Sequence, residues 1–293
     1  MIHPEYNSKR IGENTMSHAT KRPAPKPGST LLTLLFTLAF LGTLAYAQAG
    51  QDQSRKSPAV AKENTNSDLV AKAGEDTPES INYVEEIAKQ GNVEAVPVLE
   101  KKFARTEDVI DKEHIASALV RLGDKKDVYW NFLVRRATVA IESGIPDFVG
   151  YDSQGNSVPG RFSPEFTAWA QAHSLSVAAA QEQVRALDGM VTFLAMTGDP
   201  RAVPLLRQAL SAPSYMMQTE AAYGLAAAQD GASIPLIIGA CKRAPAEAAS
   251  LIATSLAYFN DPEAQSAVDR YVPKDLAKAL REARAGGKKT PWD

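Results

Sequence analysis

Few of the residue types that usually carry chemistry occur in a chemically useful arrangement in this chain. The four histidines are His3, His18, His114 and His173, and their spacing fits no metal-ligand motif. The sequence also contains no G-x-S-x-G motif, no phosphate-binding loop and no dinucleotide-binding motif. It therefore predicts no catalytic residue, no metal and no cofactor.

Two further candidates for chemistry have simpler interpretations. The single cysteine, Cys241, excludes an internal disulfide, and it aligns with apolar residues on the core side of its predicted helix. We expect it to be a buried, small apolar residue. The segment 152–156 is only loosely similar to a calcium-binding loop. Gly155 comes two positions before the place where such a loop has its glycine, and no Glu follows at the twelfth position. It predicts no calcium site.

The remaining chain is organised by a repeat of 31 residues. Asp199, Asp230 and Asp261 are separated by that interval, and each stands immediately before a predicted helix, where a capping role is expected. A fixed period of this length is typical of stacked helical repeats. The period predicts antiparallel helix pairs, in which we name the first helix A and the second helix B.

Alignment of the repeats brings the buried positions of helix B into columns. The positions are a leucine column and, three residues earlier, a column of smaller residues: Leu119, Leu194, Leu225 and Leu256; Ala116, Val191, Ala222 and Ala253. Residues three apart share one helical face. Because a single helix pair cannot cover its own apolar face, the pairs must stack on one another.

The sequence of this repeat resembles the HEAT-like repeat of phycobilisome bilin lyases and of many unrelated scaffolds. The resemblance covers about residues 78 to 272 apart from one insertion. It rests on the segments Gly198-Asp199-Pro200-Arg201-Ala202-Val203-Pro204-Leu205-Leu206 and Ala221-Ala222-Tyr223-Gly224-Leu225. The resemblance implies an all-α fold, an α-solenoid of about four to five repeats. It carries over no lyase chemistry, since proteins with this repeat share no common activity.

One insertion, residues 144–176, interrupts the array between a predicted helix A at 128–141 and a helix B that resumes at 177–196. Its turn-rich centre, 152–156, is flanked by two short segments with strand character, which predicts a hairpin-like loop. Ser163 and Pro164 then predict the start of a short helix.

The insertion is also the first candidate binding surface, because it is rich in aromatic side chains. Its candidate contact residues are Phe148, Tyr151, Phe162, Phe166 and Trp169. Long insertions in compact domains are usually functional or disordered, and these aromatics argue against disorder. The alternative is a structural flap that covers one end of the stack.

The polar column of helix B is the second candidate, because in paired-helix solenoids it faces the concave side. Its candidate binding residues are Tyr223, Thr254 and Tyr258, and the same column includes Glu113, Ser117 and Arg121 further upstream. The alternative is an ordinary solvated helix face.

The N-terminal region has the pattern of an export signal. An apolar run at 31–47 follows Lys21, Arg22 and Lys26 and ends in Ala45-Tyr46-Ala47, which predicts a signal peptide over 1–47 that is cleaved after Ala47, with Met16 as a possible true start. The alternative is an uncleaved membrane anchor at 31–47, at the lower limit of spanning length.

The rest of the chain divides by composition. Residues 48–76 are rich in polar and small residues and predict a disordered linker, 77–285 form the solenoid, and 286–293 are expected to be a flexible tail. The charge is nearly balanced, with 32 Lys and Arg against 34 Asp and Glu, so the basic surface of a nucleic-acid-binding protein is missing.

Together these features predict an exported protein, periplasmic or secreted, that binds an unidentified protein partner as an interaction module or scaffold. One alternative is an enzyme whose site lies between the insertion and the concave face, where His173 could act with Asp147 or Asp152. The other is a scaffold tethered to the membrane through residues 31–47.

Overall fold

A computed structural model describes residues 66–187, 189–288 and 290–292. These residues form an all-α solenoid, as predicted, with one two-stranded sheet in the insertion. The helices, in chain order, are α1 (Asn66–Ala73), α2 (Ser80–Gln90), α3 (Val96–Arg105), α4 (Val109–Arg121), α5 (Asp127–Glu142), α6 (Pro164–Ala172), α7 (Val177–Leu187), α8 (Met190–Met196), α9 (Val203–Ala209), α10 (Tyr215–Ala227), α11 (Ile234–Arg243), α12 (Ala246–Thr254), α13 (Pro262–Tyr271) and α14 (Lys274–Ala285). The strands are β1 (Val149–Tyr151) and β2 (Ser157–Phe162).

The helices stack as A and B layers. Six pairs can be traced in the described residues: α1/α2, α3/α4, α5/α8, α9/α10, α11/α12 and α13/α14. The B helices pack on one another in order, from α2 through α4, α8 and α10 to α12, which continues into a 3₁₀ turn at Ser255–Tyr258. This is the arrangement that a repeat with one apolar face requires.

The aligned columns form the core between these layers. Leu119, Leu194, Leu225 and Leu256 are all completely buried. The small residues beside them allow close approach: a Cβ added to Gly224 of α10 would lie 2.6 Å from the Cβ of Ala195 in α8. The register predicted from the 31-residue period is therefore correct.

Two of the three recurrent aspartates cap helices as predicted. Asp199 accepts a hydrogen bond from the N–H of Arg201 at 2.9 Å, and Asp261 accepts from the N–H groups of Glu263 and Ala264. The prediction is wrong for Asp230, whose carboxylate makes no cap hydrogen bond. It accepts instead from the guanidinium of Arg207 in α9, at 2.7 to 3.0 Å.

The prediction of a disordered linker over 48–76 is wrong for its last part, because residues 66–73 form helix α1. Leu69 and Ala73 are buried, and α1 packs against α2 and α3 as the A helix of an additional pair. The turn that follows is also tied down, since Arg105 Nε donates to Asp76 Oδ1 at 3.0 Å. Single aliphatics among polar residues gave no clear helical period in this segment.

The helix expected at 177–196 is interrupted. It consists of α7 and α8, separated by Gly189 with φ of +77°. Only α8 occupies the B position of the third pair, because it packs between α4 and α10. Helix α7 instead belongs to the insertion.

The insertion has the predicted hairpin and helix. Strands β1 and β2 are antiparallel, with Val149 opposite Phe162 and Tyr151 opposite Ser157, and Ser163 caps α6 by accepting from the N–H of Phe166. Helices α6 and α7 close a small core of their own, formed by Ile145, Phe166, Ala170 and Ala180.

The C-terminal tail is not simply frayed, contrary to expectation. Helix α14 is followed by Gly287, where φ is +102°, and the N–H of Lys288 bonds back to the carbonyl of Ala283 at 3.2 Å. This is the hydrogen bond of a Schellman cap, which reverses the chain. Residues 290–292 are then half-buried.

The predicted signal peptide and most of the predicted linker lie outside the described residues. Among the helices that are described, none has the length and apolar character needed to cross a membrane.

Candidate binding surface

The insertion is fixed to the solenoid by Asp147. Its carboxylate accepts hydrogen bonds from Ser214 Oγ at 2.8 Å and from the backbone N–H groups of Tyr215 at 2.6 Å and Met216 at 3.4 Å. These groups form the N-terminus of α10, where unpaired N–H groups favour an anion. Burial raises the pKa of Asp147, and the hydrogen bonds from Ser214, Tyr215 and Met216 partly oppose that rise.

The tip of the hairpin makes a second attachment, at the start of α12. The N–H of Glu247 donates to the carbonyl of Gly155 at 3.0 Å, and the N–H of Ser157 donates to Glu247 Oε2 at 2.6 Å. Only glycine fits at position 155, because φ is +82° and a Cβ would lie 2.4 Å from the nitrogen of Ala246. The insertion therefore bridges the N-terminal ends of two successive B helices.

The aromatic residues of the insertion divide into core and surface. Phe166 is completely buried, so it serves the core of the insertion and offers no contact surface. Phe148 and Trp169 are partly buried against the same core, with ring centroids 6.4 and 6.3 Å from that of Phe166. Their burial explains why the hairpin and helices hold together as a unit.

Tyr151 and Phe162 lie nearer the surface. Tyr151 is half-buried and packs edge-on against Tyr215, with ring centroids 6.0 Å apart, and burial raises the pKa of its phenol, as do Asp147 and Glu247. Phe162 is 37% exposed, although it sits in a hairpin held at both ends. Of the five aromatic residues predicted as contacts in the insertion, Phe162 is therefore the one with an exposed side chain.

The upstream part of the helix-B column is buried rather than solvated. Glu113 is 1% exposed and pairs with Arg136 of α5 at 2.6 Å from Nε to Oε1. Within the described part of the chain, Glu113 Oε2 and Ser117 Oγ have no hydrogen-bond partner. Burial raises the pKa of Glu113, and Arg136 only partly offsets that effect.

A second charged group lies beside it, between α2 and α4. Glu85 accepts from His114 Nδ1 at 2.8 Å and from Arg121 at 2.9 Å. Burial raises the pKa of Glu85, but the hydrogen bonds and charges of His114 and Arg121 outweigh it, and the net pKa lies below the usual value. The His114 ring also packs edge-on against Phe193. These groups join neighbouring repeats.

The downstream part of the column holds the other three candidate residues. Thr254 and Tyr258 are buried, at 6% and 8% exposure, which leaves little of either side chain for a partner. Tyr223 is half-buried, and Trp292 of the tail packs edge-on against its ring, with centroids 5.3 Å apart. The prediction that these residues line an open face is therefore wrong, because the chain covers them itself.

The residues proposed for an enzymatic site are each engaged elsewhere. His173 Nδ1 donates to the carbonyl of Trp169 at 2.8 Å, and Asp152 accepts from the N–H groups of its own turn. Asp147 is the cap of α10 described above. Cys241 is 1% exposed, and burial raises the pKa of its thiol to about 12, as expected for a core residue. No metal-binding cluster was found in the described ranges.

The repeat architecture agrees with comparison to known families. Residues 190–212 match the family described as the PBS lyase HEAT-like repeat, a segment that runs from α8 through α9. These residues form one HEAT-like repeat of the array. No curated protein gives a significant match to the chain.

Two features of this HEAT-like repeat protein have no signal in its sequence. Asp147 caps a helix that begins 68 positions later, at Tyr215. No sequence pattern near either residue therefore predicts their contact. Trp292 likewise contacts a helix two pairs away, from a tail whose composition is that of a frayed end. By contrast, the aromatic-rich composition of the insertion is enough to suggest Phe162 as a contact residue.

Proposed function

We propose that this protein is a protein-binding scaffold whose contact surface is the outer face of the insertion, around Phe162. HEAT-like repeats support a role in protein interaction, and they present side chains from a stack of rigid helix pairs. Insertions in such repeats commonly lie on the binding face.

The observation that carries the proposal is an exposed aromatic on a fixed platform. Phe162 is 37% exposed, while Asp147 and Gly155 hold the insertion on α10 and α12. A preorganised aromatic loses little conformational entropy on binding and can fill a pocket of the partner. The same contacts attach the insertion to the N-terminal ends of α10 and α12, and this structural role is compatible with the proposed contact surface.

The test compares capture of a partner by the full chain and by two single variants. Phe162→Ala should reduce capture under conditions where the variant is still folded, with a modest fall in melting temperature because the Phe162 ring also packs on Phe166, 6.0 Å between centroids. Val139→Ala is the matched control, because Val139 is 53% exposed on α5, outside the insertion. Equal capture by the folded Phe162→Ala variant and by the unchanged chain would contradict the proposal.

We also propose that the protein is exported, to the periplasm or the outside of the cell. The support is the basic, apolar and Ala-x-Ala pattern of residues 1–47. Mass spectrometry of the protein from its native cells should find Gln48 at the N-terminus. An intact N-terminal segment in the membrane fraction would indicate the membrane-anchored alternative instead.

A further inference from the structure

The C-terminal tail covers a specific place on the B layer. Trp292 packs its ring against Tyr223 of α10, in the fourth pair, although the tail leaves the sixth pair. Arg284 anchors the start of the tail, since its guanidinium donates to the carbonyls of Ala257 and Phe259 at 3.0 and 2.9 Å. The Schellman cap at Gly287 then turns the chain back over the array.

The surface below Trp292 is built and oriented without the tail. Thr254 Oγ1 donates to the carbonyl of Leu251 at 2.6 Å, so its one proton is used. The hydroxyl of Tyr223 must therefore donate to Thr254 Oγ1, at 2.8 Å. This bond holds the phenol ring of Tyr223 against the next repeat and leaves its other side to an incoming ring.

The fit of the tail itself is incomplete. The indole Nε1–H of Trp292 is buried, and no described residue accepts a hydrogen bond from it. A buried donor without an acceptor costs free energy. A ring without that donor, such as the phenyl ring of Phe, could make the same edge-to-face contact without the cost.

We propose that Tyr223, oriented by its hydrogen bond to the buried Thr254, forms a receptor for an aromatic side chain, carried by a short peptide segment of a partner protein, which the chain's own tail occupies through Trp292. The tail is present at a high effective concentration, because it is attached to the same molecule. A partner must displace the tail. Its apparent affinity for the chain is therefore lower when a smaller fraction of the molecules has an open receptor. This surface is distinct from the insertion, and the proposal does not depend on a partner binding there.

The test uses the full chain and a fluorescent peptide of residues 284–293. Trp292→Ala opens the receptor, so this variant should bind the peptide at least about tenfold more tightly than the unchanged chain does. The matched control is Trp130→Ala, because Trp130 packs on the guanidinium of Arg201 rather than on Tyr223. It should bind the peptide as weakly as the unchanged chain.

Peptide variants separate ring recognition from charge attraction. With Phe in place of Trp the peptide should bind the Trp292→Ala chain at least as tightly, and with Ala it should not bind. Addition of Tyr223→Ala to that chain should abolish binding of the Trp peptide. Equal binding of the Trp and Ala peptides, or of the Trp292→Ala and unchanged chains, would overturn the proposal.

A second measurement does not depend on opening the receptor by mutation. The chain has three tryptophans, so Trp130→Phe with Trp169→Phe leaves Trp292 as the single indole emitter. Iodide should quench it much less than it quenches the free peptide, and excess Phe peptide should increase the quenching. Quenching of the chain as strong as that of the free peptide would show that the tail is not seated and would overturn the proposal.

Discussion

The carboxylate of Asp147 accepts a hydrogen bond from the backbone N–H of Tyr215 at 2.6 Å, across 68 positions of the sequence. The insertion of the third pair therefore supplies a cap to the B helix of the fourth. Ser214 caps the same helix locally by accepting from the N–H of Met217, and its hydroxyl donates to Asp147. One short cluster thus joins insertion and repeat.

Removal of this cap should loosen the insertion. Asp147→Ala should lower the free energy of unfolding by about 1–2 kcal/mol, the range of a lost N-cap, because the N–H groups of α10 lose their acceptor. Glu142→Ala, at an exposed position of α5, is the control and should have little effect. Denaturant melts measure the difference, and faster proteolysis within 144–176 should accompany it. Equal melts for the two variants would contradict the capping role.

Glycine in α10 is required by its neighbour rather than by its backbone angle. In Gly224→Ala the new Cβ would lie 2.6 Å from Ala195 Cβ and 2.8 Å from Leu206 Cδ1, so we expect a loss of about 1–3 kcal/mol through overpacking. Gly239→Ala is the matched case in α11, where only Arg243 Nη1 lies nearby, at 3.5 Å. That variant should gain about 0.5–1 kcal/mol from helix propensity. Thermal melts should therefore shift in opposite directions.

The leucine column should dominate the stability of the core. Leu225 is completely buried, so Leu225→Ala should cost about 2–5 kcal/mol through lost burial and a residual cavity. Leu236 is 48% exposed, and Leu236→Ala should cost far less. The pair is compared by denaturant melts. A larger loss at Leu236 would show that the register of the repeats is wrong.

Glu113 should make the stability depend on pH. Burial raises its pKa above the usual 4.5, so the folded state holds this proton in a pH range where the unfolded state has released it. The contribution of Glu113 to stability therefore falls as the pH rises from about 4.5 through the folded pKa. Glu113→Gln removes this dependence but keeps an acceptor for Arg136.

Melts of the unchanged chain and of Glu113→Gln across pH 4 to 8 isolate the effect, since other titrating groups such as Glu85 and Asp147 are present in both. The variant should become progressively more stable relative to the unchanged chain as the pH rises. A constant difference between the two melts across the range would refute the assignment.

The sequence predicts the parts of this structure that repeat. Leu119, Leu194, Leu225 and Leu256 could be identified as core because each occupies the same position of a 31-residue unit. The hairpin of the insertion is equally predictable from the sequence, because turn residues separate two short strand segments. Local patterns of this kind act within a few residues and need no knowledge of the tertiary fold.

Contacts between distant segments were not predictable in the same way. Asp230 stands at a cap position, but Arg207 from the preceding A helix takes its carboxylate. Phe166 is as aromatic as Phe162, yet the packing of α6 and α7 buries one and leaves the other exposed. The helix-B pattern predicts an open face at Tyr223, but Trp292 covers it. In each case a partner far along the chain decides which of two reasonable roles a residue has.

The bridge from the insertion to α12 changes how the array should unfold. In a stack with contacts between neighbours alone, each end repeat can open by itself, at the cost of one interface. Here Gly155 and Ser157, from the third pair, bond to Glu247 of the fifth. Opening of the fifth pair must therefore break an interface and the hairpin contact together. Partly opened forms of this region should therefore be depleted, and the pairs from the third to the fifth should melt as one cooperative block.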